Sequence, residues 1–295
     1  MAAAGEIIGE AGARAIRLGV RLVGRRVARK DAPWLDCPMG PPGRIGAEFY
    51  DYLAASRGFK VCREPTAGLL PDFNALAGSR FRPVDVRSEI HDFYEHTACY
   101  RLSAWSEAAL STRLFLWGLT QFVSRRMDQL NFPVSSLELA GGMTSEILPV
   151  VDPSGARLYT GWLRRMAESR RVIYTGLYSV ERPPGYGEPC VKVSFPLPMG
   201  SSTVFLRPEA CPDGSFRLIS SGSHFGDPGF YRMVEAGPEH WHVSYLRTLR
   251  ETFHVYVDDR GQLRTEHIVK FLGFTPLRLL YLMERVPDAT TVSSS

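Results

Sequence analysis

Two histidines near the C-terminus, His254 and His267, stand on segments that read as strands joined by the turn Asp258-Asp259-Arg260-Gly261. With those four turn residues unpaired, Val257 faces Gln262, and the opposed pairs include Tyr256–Leu263, His254–Thr265 and Thr252–His267. Side chains alternate along a strand, so Arg250, Thr252, His254 and Tyr256 are expected to share a face with Leu263, Thr265, His267, Val269 and Phe271. Solvent faces seldom carry Leu, Val and Phe in a row, and core faces seldom mix His, Arg and Thr. The wall of a ligand cavity suits both, and a polar cluster at a barrel mouth is the plainer alternative. An imidazole in such a wall can serve as general acid or base near neutral pH. His254 and His267 are therefore the candidate catalytic residues, with Glu95 from the helical half as a carboxylate partner. Arg250, Tyr256, Thr265 and Phe271 on the hairpin, with Tyr94 and Trp117 on helices, are the candidate ligand contacts.

The other chemistry-bearing stretches are weaker. His91 and Glu95 are four apart, which fits a helical pair but matches neither H-x-x-E-H nor H-E-x-x-H. His240 and His242 fall on one strand face without further ligands of the right kind, so no metal site is expected. In His224-Phe225-Gly226-Asp227-Pro228-Gly229-Phe230-Tyr231-Arg232, the glycines and proline fix a loop that Asp227 is placed to cap. No Walker loop, G-x-G-x-x-G, G-x-S-x-G or kinase signature occurs, and Gly141-Gly142 alone makes no phosphate loop. The chain is read as cofactor-free.

The elements that must position these residues divide at about residue 147. Upstream, helices are expected over roughly 45–55, 85–98 and 107–130; Pro83 marks the start of the second, and the core of the third, Leu110 to Val123, is strongly apolar. That core is too short for a transmembrane span and contains Arg113. Downstream, eight or nine short strands follow with Pro/Gly turns between them, including a long strand from Trp241 to Val257. The expectation is an α+β fold: a helical N-terminal half packed on a C-terminal antiparallel sheet or barrel that encloses a cavity. The expected units are an arm and linker over 1–43, and one domain over 44–295 (helices 44–146, strands 147–286, disordered tail 287–295).

Charge sets the arm apart. Residues 1–30 carry seven basic and two acidic side chains, whereas the remaining 265 carry 28 and 29. A body without basic excess argues against nucleic acid as a partner. Ile16, Val20, Val23 and Val27 form one helical stripe and Arg14, Arg17, Arg21 and Arg25 another. Such a basic amphipathic helix suits either docking on its own domain or peripheral contact with an anionic membrane through residues 14–30. The Pro38–Gly43 stretch reads as the linker. Five cysteines without a C-x-x-C pair imply reduced thiols and a cytoplasmic protein.

Four segments resemble a group of uncharacterised actinobacterial proteins of similar length: Asp92 to Thr97, Met143 to Glu146, Gly226 to Arg232, and the closing strands from Phe253. The resemblance covers most of the chain after residue 44. It implies a shared fold and source and no activity. The residues themselves favour a cofactor-free cyclase, isomerase or similar tailoring enzyme acting on an apolar small molecule in specialised metabolism. A non-catalytic lipid or small-molecule carrier is the alternative.

Overall fold

The structure is a computed structural model, and it describes residues 19–21, 24–41, 46–107, 143–167, 170 and 172–286. Fourteen strands, paired antiparallel throughout, make up most of it: β1 Arg25–Ala28, β2 Lys60–Val61, β3 Tyr100–Glu107, β4 Met143–Val151, β5 Arg157–Met166, β6 Val172–Glu181 and β7 Cys190–Leu197. They continue with β8 Gly200–Ala210, β9 Phe216–Ile219, β10 Gly229–Glu235, β11 His240–Leu246, β12 Leu249–Val257, β13 Leu263–Phe271 and β14 Phe274–Arg285. Their spatial order is β2-β4-β5-β6-β7-β8-β9-β12-β13-β14-β3, and β8 also pairs with β10, which continues through β11 to β1. The long β8 makes this branch. Its first half pairs with β10 from Gly200 to Phe205, and its second half pairs with β9 from Arg207 to Ala210.

Three hairpins share one connection. Five residues separate Val151 from Arg157, Ala210 from Phe216, and Val257 from Leu263. The fourth of the five is a glycine with positive φ each time: Gly155 (89°), Gly214 (77°) and Gly261 (73°). An aspartate closes each turn from its side chain: Asp152 accepts from Ser154 N, Asp213 from Ser215 N and Asp258 from Arg260 N. A left-handed residue at this place adds one residue to the return strand, as in a bulged hairpin.

The sheet curls so that one face encloses the main core. Side chains from β4 through β9, β12 through β14 and β3 meet there. One end of this interior is filled by α2 (Ser88–Glu95) and the short helical turns around Phe73 and Pro83. Phe73 packs edge-on against Phe216 at 5.1 Å, and Arg87 N donates to Gly214 O. Asp92 ties α2 to the sheet by accepting from Tyr100 Oη at 2.5 Å and from Arg285.

Two smaller cores lie on the outer face. The first belongs to α1 (Phe49–Arg57), whose Phe49, Tyr50 and Leu53 pack on Leu148, Val150, Leu163 and Leu177. A Cβ at Gly161 would lie 2.3 Å from Tyr50 Cε1, so the ring rests where only glycine leaves room. The second belongs to the segment that follows β1. Trp34 packs its ring on Phe205 and Tyr231, both at 5.2 Å, and Leu35 is fully buried. The Lys192 ammonium, itself fully buried, donates to Trp34 O at 2.9 Å and Asp36 O at 2.5 Å.

The expected architecture is therefore corrected. There is no helical N-terminal half packed on a sheet: the molecule is predominantly antiparallel sheet, with α1 and α2 as short additions. The expected helices 45–55 and 85–98 correspond to the shorter α1 and α2, while nearly all of the helix expected over 107–130 lies outside the described residues. Tyr100–Glu107 is a strand because it completes the sheet against β14. The long strand expected from Trp241 to Val257 is two strands, broken at Arg247-Thr248. Val27, expected on a helical stripe, lies in β1, where the backbone of β11 supplies its partners. The expected linker is pinned where it is described: Gly40 N donates to Leu197 O, and Met199 N to Gly40 O. Residues 1–18 and 287–295 lie outside the described residues.

Candidate functional site: the cavity inside the curled sheet

The curled face leaves a cavity of about 120 Å³. Its wall is mainly apolar, with Leu69, Phe93, Val193, Phe195, Val204 and Leu218 among the residues exposed to it. Strand alternation delivers these groups: Val193 and Phe195 are two apart on β7, and Val204 and Leu206 two apart on β8. Their outward neighbours serve the other cores; Phe205, between Val204 and Leu206, packs against Trp34.

The polar groups of the wall come from five strands, β5, β6, β12, β13 and β14. Arg164 on β5 is buried, stands 5.2 Å from the Trp162 ring and 5.5 Å from the Tyr281 ring, and hydrogen-bonds the Tyr281 hydroxyl. Tyr174 and Tyr178 on β6 join their hydroxyls at 2.7 Å. Burial pushes the phenols of Tyr94, Tyr174, Tyr178 and Tyr281 above the ordinary tyrosine range, so they stay neutral hydrogen-bonding groups at physiological pH. His267 on β13 stacks on Phe253 with ring centres 3.9 Å apart and planes 15° from parallel. Its Nε2 stands 3.7 Å from Glu251 Oε1, close enough for charge attraction and too far for a hydrogen bond. Thr265 Oγ1 donates to Met283 Sδ at 3.4 Å.

The hairpin that carries the histidines pairs one residue away from the expected register. Val257 faces Leu263, His254 faces Glu266, and Phe253 faces His267. Gln262 belongs to the turn because Gly261 bulges the return side. The two histidines consequently lie on opposite faces of the sheet. His267 and Thr265 line the cavity, and so does Tyr94 on α2. His254 lies on the outer face, where Nε2 meets Ser215 Oγ at 2.8 Å; burial first, then the charge of Arg217, holds its pKa below the usual histidine value. Arg250 and Tyr256 share that outer face, Phe271 sits exposed beside the β13–β14 turn, and none of the three lines the cavity. Glu95 is turned to the backbone, accepting from Phe73 N at 2.7 Å. Trp117 lies outside the described residues.

Sequence reasoning missed Arg164, Glu251, Tyr174, Tyr178 and Tyr281. The signal was present at Trp162-Leu163-Arg164-Arg165-Met166, where an arginine occupies an inward position of an alternating strand. No group of three or more His, Cys, Asp or Glu among the described residues is placed to hold a metal. The five cysteines are free.

The chain is 26% identical over 251 residues to the uncharacterized membrane protein YndJ of Bacillus subtilis (strain 168), covering 82% of this chain. It spans about two-fifths of that relative, 42% of its length. No family model matches the chain, and no solved structure matches it. Among the described residues, no helix is long and apolar enough to cross a membrane.

Proposed function

We propose that the chain binds an apolar small molecule inside the curled sheet and acts as a carrier. The observation behind this reading is the apolar wall, whose charged groups Arg164 and Glu251 lie away from the α2 end. Glu251 lies toward the β13–β14 turn, His267 stands at the middle of β13, and Arg164 pairs with Tyr174 at the end of the sheet that holds Glu251. A ligand lodged here would exchange water contact for hydrocarbon and aromatic contact, worth roughly 25 cal/mol for each Å² covered. The test is a titration with the neutral apolar dye N-phenyl-1-naphthylamine. Saturable one-to-one enhancement, weakened at least tenfold by Val204→Trp in folded protein, supports the reading. Equal binding by both proteins overturns it.

A catalytic reading keeps one specific support, the Glu251–His267 pair at 3.7 Å inside the cavity. Ligand contact that brings these groups within hydrogen-bonding reach would equip them for the proton transfers of an isomerase or cyclase. Turnover of a bound compound that His267→Ala abolishes without loss of fold would establish it.

Peripheral contact with a membrane is better supported at the β13–β14 turn than at residues 14–30. Leu272 and Phe274 are 61% and 75% exposed at this tip, and exposed Arg247, Arg250 and Lys270 lie beside it. In the arm, Arg25 lies over Phe225 and Arg29 over Trp241. Sedimentation with anionic vesicles should be lost in Leu272→Asp/Phe274→Asp and retained when Arg14, Arg17 and Arg21 are changed to Glu. The reverse pattern returns the role to the arm.

A further inference from the structure

Beyond the cavity, on the same face of the sheet, three polar atoms are buried with no hydrogen-bond partner among the described residues: Arg232 Nε, Ser244 Oγ and His242 Nδ1. Arg232 on β10 lies directly opposite Ser244 on β11 and Ser202 on β8. His242 lies two residues from Ser244, so it projects to the same side, and it stands opposite Arg26 of β1. The row therefore holds two guanidiniums, two hydroxyls and an imidazole across four adjacent strands, and no carboxylate.

Arg232 is half-buried with its Nε shielded from water, and a shielded guanidinium N–H without an acceptor costs free energy unless something else compensates it. No ion pair to Arg232 occurs among the described residues, and burial alone pulls its pKa down to about 10. The row adjoins the cavity. Ser202 is opposite Phe195 and two residues from Val204, and both Phe195 and Val204 line the cavity. Two residues of strand span roughly 7 Å.

From this we infer that the row Arg232–Ser244–His242 is an anion site, which takes the carboxylate or phosphate headgroup of an amphiphile whose alkyl chain lies in the cavity. The headgroup accepts hydrogen bonds from the guanidinium and the Ser244 hydroxyl, and from the imidazole when Nδ1 carries its proton. This deepens the carrier reading by naming its ligand class, and it rests on that reading only for the tail.

The test titrates the full chain with decanoate, decyl phosphate, decanol and inorganic phosphate, comparing wild type with Arg232→Met and Ser244→Asp. In wild type, one or both anionic amphiphiles should bind at least tenfold more tightly than decanol, and which one identifies the headgroup. Arg232→Met should erase that advantage and leave decanol binding unchanged. Ser244→Asp supplies a carboxylate opposite Arg232, so it should raise the thermal midpoint while abolishing anion binding. Equal affinity of decanol and both anions in wild type overturns the site, as does an unchanged anion advantage in folded Arg232→Met or Ser244→Asp. Inorganic phosphate binding that Arg232→Met removes, with no alkyl compound bound, retains the anion site and refutes the cavity reading instead.

Discussion

Replacing Lys192 by methionine should weaken the fold, and the loss should grow as the pH rises. The Lys192 ammonium is buried beneath the segment that carries Trp34 and donates to two of its carbonyls, at 2.9 and 2.5 Å. Among the described residues, no carboxylate lies within ion-pair distance of it. Methionine matches the length of the chain and removes the donors. Two charge-assisted bonds disappear, each worth about 1.5–3 kcal/mol net, and two shielded carbonyls lose their partner. Relief of a buried charge offsets part of this, by up to several kcal/mol. The balance is a loss of about 2–4 kcal/mol, a drop of roughly 4–16 °C in thermal midpoint.

The sign of the pH effect follows from burial. Burial lowers the Lys192 pKa from the ordinary 10.5, although nearby Cys37, Glu181 and Asp36 act the other way. Between the lowered folded value and 10.5 the unfolded chain binds more protons, so wild-type stability gains from Lys192 as pH rises through that window. The variant lacks this gain. Urea unfolding of both proteins at several pH values up to 10 should show the gap widening. A constant or narrowing gap would refute a charge buried at this position.

Gly161→Ala should cost about 2–4 kcal/mol, because the new methyl meets a buried tyrosine ring at 2.3 Å; calorimetry reads the loss, and an unchanged midpoint would show that α1 can shift. Asp92→Asn should cost about 1 kcal/mol at pH 7 in this partly exposed site. Burial raises the Asp92 pKa, but Tyr100 and Arg285 outweigh it, so the folded value lies below 3.8; the contribution is present above that ordinary value and fades as pH falls through the folded one. A penalty from Asp92→Asn that persists in strong acid would contradict this. His254→Ala should lower stability by roughly 0.5–1.5 kcal/mol through the lost Ser215 contact and leave dye binding unchanged, whereas His267→Ala should alter dye binding. Equal effects on binding would place both histidines in the same role.

What was legible in the sequence was local. Alternation along β13 puts Leu263, Thr265 and His267 on one side, and that grouping depends on no partner strand. Pairing across the turn depends on the conformation of Gly261, and four unpaired residues instead of five send His254 to the opposite face. The glycine fourth in the turn, repeated at Gly155 and Gly214, was the available signal. Fold class failed for a different reason. Tyr100–Glu107 is short and becomes a strand through β14, whose Arg278 to Arg285 lie far downstream in sequence, which no local pattern reports. The polar wall was hidden likewise, because Arg164, Tyr174, Glu251 and Tyr281 come together only when the sheet curls.

The most direct test of the central claim is a methyl-labelled NMR titration with decanol. The carrier account predicts saturable shifts at the methyls of Val193, Val204, Leu206 and Leu218, which face the cavity. Leu35 and Val243 in one outer core, and Leu53 and Val150 in the other, should stay still. Shifts confined to the outer cores, or no saturable shift at the four cavity residues, would contradict it.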